Sequence, residues 1–148
     1  MRSHLVGFFL SGLLLVMPAY ADNPVPNVQF QEVLIKTSLM TFNDANLTGN
    51  YTVMHAKMAK PFREQLTPDK MKQAFKSFAA QAVEMRGILL KPPVATTASA
   101  IDKRGALVLR GYFETAPSRV IYEIDFLPSE GEWKPIMLHV RVKAAGEG

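Results

Sequence analysis

Between Ala106 and Lys143 apolar and polar positions alternate with a period of two. Leu107, Leu109 and Phe113 share one parity of a first segment, with Gly111 between them. Val120, Tyr122, Ile124 and Phe126 share one parity of a second, and Ile136, Leu138, Val140 and Val142 one of a third. Such alternation in β-branched and aromatic residues predicts half-buried strands. Thr115–Ser118 and Pro128–Glu132 are short and made of turn formers, so two successive hairpins are expected. A first turn centred on Ala116–Pro117 sets Leu109 against Ile124 and Phe113 against Val120. The same register sets Arg110 against Glu123 and Glu114 against Arg119 on the other face. A slip of one residue would lose the apolar and the charge matches together.

Upstream the period changes. After Asn27, an N-cap residue, Phe30, Leu34, Ile35, Leu39, Phe42 and Ala45 recur at helical spacing up to about Asn46, and Val33 and Met40 widen the stripe. Gly49 stops this helix, and a second, short one is predicted over Tyr51–Ala59, which Pro61 keeps from running on. Thr67-Pro68-Asp69 begins a third, with Met71, Ala74, Phe75, Phe78 and Ala82 on one face and Gly87 at its end. Ile88–Pro93 reads as a connector, and Val94–Ile101 as a weaker strand turned into the sheet by Asp102–Gly105. The predicted fold class is α+β, three N-terminal helices packed on a curved four-stranded antiparallel sheet.

Composition adds a compartment. Arg2 and His4 precede the apolar run Leu5–Met17, and Pro18-Ala19-Tyr20-Ala21 supplies small residues at the positions a signal peptidase reads. Residues 1–21 are therefore expected to be a signal peptide, and residues 22–148 a single domain with no transmembrane helix once the leader is cleaved. The chain has no cysteine, which excludes disulfides, thiol nucleophiles and thiolate metal sites. An exported domain without disulfides points to a periplasm if the source is bacterial. The net charge of +4 is mild and scattered, and does not call for nucleic acid.

Three helices followed by an antiparallel meander form a familiar order. The stretch Thr41–Leu66, TFNDANLTGNYTVMHAKMAKPFREQL, has a long helix closing on a small-residue turn and then a short helix near Pro-Phe-Arg; Gly131-Glu132-Trp133 enters the last strand. In these features the chain resembles the nuclear transport factor 2-like superfamily, the cystatin-like cone, and within it small exported members of unknown activity. The resemblance covers nearly all of the chain after the leader and rests on architectural motifs. It implies a sheet curled around the first helix with a pocket at the open end, and it transfers no reaction.

Enzymes of that superfamily place acids and tyrosines inside the cone. Here Glu123 and Asp125 share the parity of Arg110 and His139, away from Leu109 and Ile124, so they are expected to point outward as solvated cross-strand pairs. Tyr122 alone brings a polar tip to the apolar parity of the sheet. Tyr51 and His55 are one helical turn apart, with Asp44 near enough in sequence to orient them. An isomerase- or hydratase-like site would use Tyr51, His55 and Tyr122; the bland alternative is a satisfied core tyrosine and a surface pair. After leader removal only His55 and His139 remain as histidines, on different elements, so no metal or other cofactor is expected.

The favoured reading is a non-catalytic exported domain that binds a small apolar ligand or a protein partner. Phe42, Phe75, Phe78, Tyr122, Ile124 and Leu138 are expected to line its pocket. Tyr112, Ile121 and Met137, with Trp133 beside them, fall on the outward parity of the sheet and are expected to form a homodimer interface. A structural subunit of an envelope complex, with an envelope protein as partner, is the remaining alternative.

Overall fold

The computed structural model describes residues 23–144; the expected leader and its cleavage point lie outside them. Helix α1 spans Val28–Thr48, where Asn27 Oδ1 accepts from the Phe30 amide at 2.8 Å and Gly49, at φ 69°, takes the left-handed conformation that ends it. Short helices α2 (Thr52–Lys57) and α3 (Lys60–Gln65) follow, the second with Pro61 in its first turn, where a missing amide proton costs nothing. Thr67 caps α4 (Pro68–Ala74) by accepting from the Lys70 amide at 3.2 Å.

Where three helices are expected, the described residues form five. The third predicted helix breaks at Phe75 and resumes as α5 (Lys76–Ala79). Phe75 is fixed at the break by an edge-on contact with Phe42, ring centroids 4.9 Å apart, and by stacking on Tyr51 at 6.0 Å. The chain then leaves helical geometry well before Gly87: Ala82 adopts a positive φ of 51°. Asn43 of α1 accounts for this departure. Fully buried, it accepts from the Met85 amide at 3.0 Å through Oδ1 and donates to Glu84 Oε1 at 3.1 Å, pinning the connector to α1. One 3₁₀ turn, Arg86–Leu90, leads into the sheet and buries Ile88.

The sheet is open and antiparallel throughout. Strands β1 (Val94–Ala95) and β2 (Ala100–Ile101) both pair with β3 (Leu107–Phe113), which pairs with β4 (Ser118–Ser129), which pairs with β5 (Glu132–Ala144). The single weak strand expected at Val94–Ile101 is thus two fragments. Between them Ser99 accepts a hydrogen bond from Gln31 of α1 at 3.1 Å.

The β3–β4 register agrees with the expectation: Leu109 faces Ile124, Arg110 faces Glu123 and Phe113 faces Val120, with Glu114 and Arg119 ion-paired at 2.6 Å beside the turn. The second hairpin is tighter than expected. Its strands run on to Ser129 and Glu132, and only Glu130 (φ 55°) and Gly131 (φ 82°) turn the chain, as a two-residue primed turn requires. A bulge interrupts β5. Asp125 pairs with Met137 but Phe126 pairs with Pro135, leaving Ile136 without an opposite residue. The inward parity therefore passes from even positions at Leu138, Val140 and Val142 to odd ones at Pro135 and Trp133. Helices and inner sheet face close on one core, with Leu39, Phe42, Phe113, Tyr122, Ile124 and Phe126 at its centre.

Candidate functional site

The bulge decides where the open space lies. By carrying Trp133 and Pro135 to the inner side, it sets them and Leu138 opposite α1, with α2 closing one end. The result is a half-open groove of about 700 Å³. Its α1 wall is Phe30, Val33, Leu34, Thr37, Ser38 and Thr41, the three-and-four spacing of one helix face. Met54, Ala56 and Lys57 of α2, Met58 at its C-cap, Phe126 of β4 and the hairpin residues Gly131, Glu132 and Lys134 complete the lining. Phe30 and Val33 are 46% and 55% exposed, an unusual state for large apolar groups lying one turn apart.

The lining is graded. Towards the start of α1 it is aliphatic and aromatic; towards its end it becomes a row of hydroxyls, Thr37, Ser38 and Thr41, with Lys57 Nζ 3.5 Å from Thr41 Oγ1. A shallower depression of about 290 Å³ shares Thr41, Met54 and Lys57 and adds Asp44, Thr48 and Asn50. The two join at Lys57. The hairpin tip that carries Trp133 is fastened to the segment that follows α2: the Ala59 amide donates to the Pro135 carbonyl at 2.8 Å, the Lys60 amide to Ser129 Oγ at 3.1 Å, and Arg63 pairs with Glu130.

Of the six residues predicted to line a pocket, Leu138 alone lines this groove. Phe42, Phe75 and Phe78 do meet, with centroids 4.9 Å from Phe42 to each partner, but as packed core on the other side of α1. Tyr122 and Ile124 are buried against the sheet, and the Ile88–Pro93 connector, expected at a pocket rim, supplies no lining residue. The expectation followed parity and helix stripes, which identify what is buried and cannot separate solid core from the edge of a cavity.

The residues of the enzyme alternative are not brought together by any hydrogen bond among the described residues. Tyr51 is buried and donates its hydroxyl hydrogen to Asn46 Oδ1; burial raises its pKa. His55 Nε2 lies 2.6 Å from the Leu66 carbonyl and 3.3 Å from that of Arg63, so it carries the proton and holds the end of α3. Tyr122, 2% exposed, lies under β3 with its hydroxyl against Gly111; burial alone lifts its pKa to about 12. Among the described residues no three histidine, aspartate or glutamate side chains gather as a metal-ligand set.

On the outer face, Tyr112 and Ile121 are direct cross-strand partners and Val94 extends their row across β1. Met137 does not join them. It pairs with Asp125, beyond the row Arg110–Glu123–His139, and Trp133 is on the opposite face because of the bulge. The outer face is instead crossed by charge. Asp125, expected to be solvated, is 4% exposed, with Arg104 Nη2 at 2.6 Å and Arg110 Nη2 at 2.7 Å. His139 Nδ1 is 2.9 Å from Glu123, and this contact is the main reason the Glu123 carboxyl is held below its ordinary pKa. Arg119 covers the Tyr112 ring at 4.3 Å.

Sequence reasoning missed Phe30 and Val33 as groove residues because it counted them as core. The signal was the excess width of the α1 stripe. Compared with protein-family models, with curated proteins and with solved structures, the chain matches none. No described helix is long and apolar enough to cross a membrane.

Proposed function

We propose that this is a non-catalytic, exported binding domain whose groove between α1 and β5 takes an apolar group, carried by a small ligand or by a partner. One observation carries the reading: Phe30 and Val33 stand half exposed across a 700 Å³ space from Trp133 and Leu138. Grooves of such volume and apolar lining, with a few polar groups at one end, are typical ligand sites. The isomerase- or hydratase-like alternative has less support, since Tyr51 and His55 are engaged in hydrogen bonds within the helical layer and Tyr122 is away from the groove. A sheet rolled about α1 as in the cystatin-like cone belongs to the same proposal, with the groove as its open side. The leader motif supports export, to the periplasm in a bacterium. The Val94–Tyr112–Ile121 row supports a homodimer through the outer face.

The chain has a single tryptophan, and it lines the groove. Titration with a neutral naphthylamine dye is expected to shift Trp133 emission and to enhance the dye. Val33→Arg, placed at an exposed position, is expected to abolish both while leaving the circular dichroism spectrum unchanged. A folded wild-type protein that leaves both signals flat while Trp133 is open to iodide quenching refutes the proposal.

A further inference from the structure

We infer that the groove's ligand is a single-chain amphiphile, its hydrocarbon chain between α1 and β5 and its anionic head at Lys57. The inference rests on the binding reading above and adds the class of ligand.

The two ends of the groove differ in kind. Along the start of α1, Phe30, Val33 and Leu34 face the groove with no hydrogen-bonding side chain, and Leu138 of β5 adds to this apolar lining, so they suit a hydrocarbon chain. One helical turn further on, the same face of α1 presents Thr37 and Ser38, then Thr41. A purely apolar ligand would desolvate these hydroxyls without return; a ligand that turns polar at that depth meets them with acceptors of its own.

Charge sets the sign of the head. No described carboxylate lies within ion-pair distance of Lys57, whose recorded partner is the Thr41 hydroxyl at 3.5 Å. Glu132 and Lys134 line the groove beside Trp133, and Lys134 Nζ is 3.5 Å from Glu130, a carboxylate that Arg63 shares. The α1 wall thus runs from apolar side chains to hydroxyl donors beside an ammonium that no described carboxylate pairs, the complement of a carboxylate or phosphate ester on an acyl chain. The adjoining depression with Asp44, Thr48 and Asn50 gives a larger head room to continue beyond Lys57. A free fatty acid and a single-chain phospholipid share this chemistry; they differ in whether that depression is used.

The test is a series of saturated fatty acids of increasing chain length, below their micelle concentrations, read through Trp133 emission, with the matching fatty alcohols alongside. Affinity is expected to rise about fourfold for each added methylene until the apolar end is full. At the best length the acid is expected to bind up to about fivefold better than the alcohol, the range of a partly exposed ion pair. Lys57→Gln should remove that preference without changing the chain-length slope. Thr48→Arg, which fills the depression, should weaken a lysophospholipid and spare the fatty acid if the lipid is the better ligand; equal indifference to Thr48→Arg identifies the free acid.

Dye binding with no dependence on chain length, or an alcohol that binds as tightly as the acid, overturns the inference and leaves the binding reading standing. Silence from dye and acids alike, with Trp133 already shielded from iodide and exposed by Phe30→Glu, means that a second copy or a partner fills the groove. The amphiphile inference then falls, and of the binding reading the partner form alone stands.

Discussion

Gly111 lies directly beneath the hydroxyl of Tyr122. A Cβ at position 111 would stand 2.5 Å from that oxygen and closer still to the Val94 carbonyl oxygen, so only glycine lets β1, β3 and the Tyr122 ring share this point. Gly111→Ala is expected to cost about 1–3 kcal/mol through overpacking, since one neighbour is backbone and the other the tip of a buried ring. Chemical denaturation measures the loss. Hydrogen exchange should show it concentrated at β1.

Tyr122 itself is held neutral by its surroundings, and no described group hydrogen-bonds its hydroxyl. Tyr122→Phe removes a hydroxyl that makes no hydrogen bond among the described residues and is expected to be neutral or to stabilise by up to about 1 kcal/mol. The sign with pH follows from the raised pKa. Between 10.0, the ordinary value, and about 12 the unfolded chain loses the proton while the folded chain keeps it. Wild type should lose about 1.4 kcal/mol of stability per pH unit across that window, fully retained below it, relative to Tyr122→Phe. Unfolding curves for both proteins at a series of alkaline pH values test this; parallel curves would show that the hydroxyl is solvated.

The buried Asp125 carboxylate depends on two guanidinium groups, Arg104 and Arg110. Removing either leaves the other in place, so Arg110→Met is expected to cost about 1.5–3 kcal/mol, and Arg104→Met, at a solvent-screened guanidinium, less. The double variant should cost more than their sum, because a buried carboxylate is then left without a cation. Asp125→Asn in the double-variant background should recover part of the loss. A double-mutant cycle by urea denaturation supplies the coupling.

Asn43 is expected to hold the chain after α5 in place. Asn43→Ala strands the Met85 amide and frees Glu84, at a cost of about 1–3 kcal/mol. Proteolysis of the native protein should then cut near Glu84, a site protected in wild type.

The proposed homodimer is testable at the outer face. Ile121→Glu, opposite Tyr112, is expected to convert a dimer to a folded monomer in sedimentation velocity. A wild-type protein that remains monomeric at high concentration removes the interface.

The strands and the first register were legible because two patterns, apolar parity and opposite charge, agreed on one pairing. The end of the third helix was not. Phe78-Ala79-Ala80-Gln81 is good helical sequence, and what stops it is Asn43, far away in the chain, binding Met85. The groove was hidden for a related reason. Strict alternation read back from Leu138 puts Trp133 outside; the bulge at Ile136 reverses it. Pro135 was the available clue, since proline inside a strand marks an edge or a bulge, and here it marks both. Burial of Asp125 was illegible because its cations arrive from a turn and a neighbouring strand, which parity alone does not connect.

Ile136 has a mechanical consequence. A bulge bends its strand and tightens the local twist, so this one supernumerary residue sets the angle at which the β4–β5 tip leans towards α2 and α3, where Ala59, Lys60 and Arg63 latch it. Deleting Ile136 would leave Trp133 facing the same way, because Pro135 already pairs with Phe126, yet it would straighten the lever on which the ring is mounted. The bore of the groove thus follows the length of β5 as well as the side chains along it, and adding or removing a residue at that hinge is expected to change its girth while every wall residue stays the same.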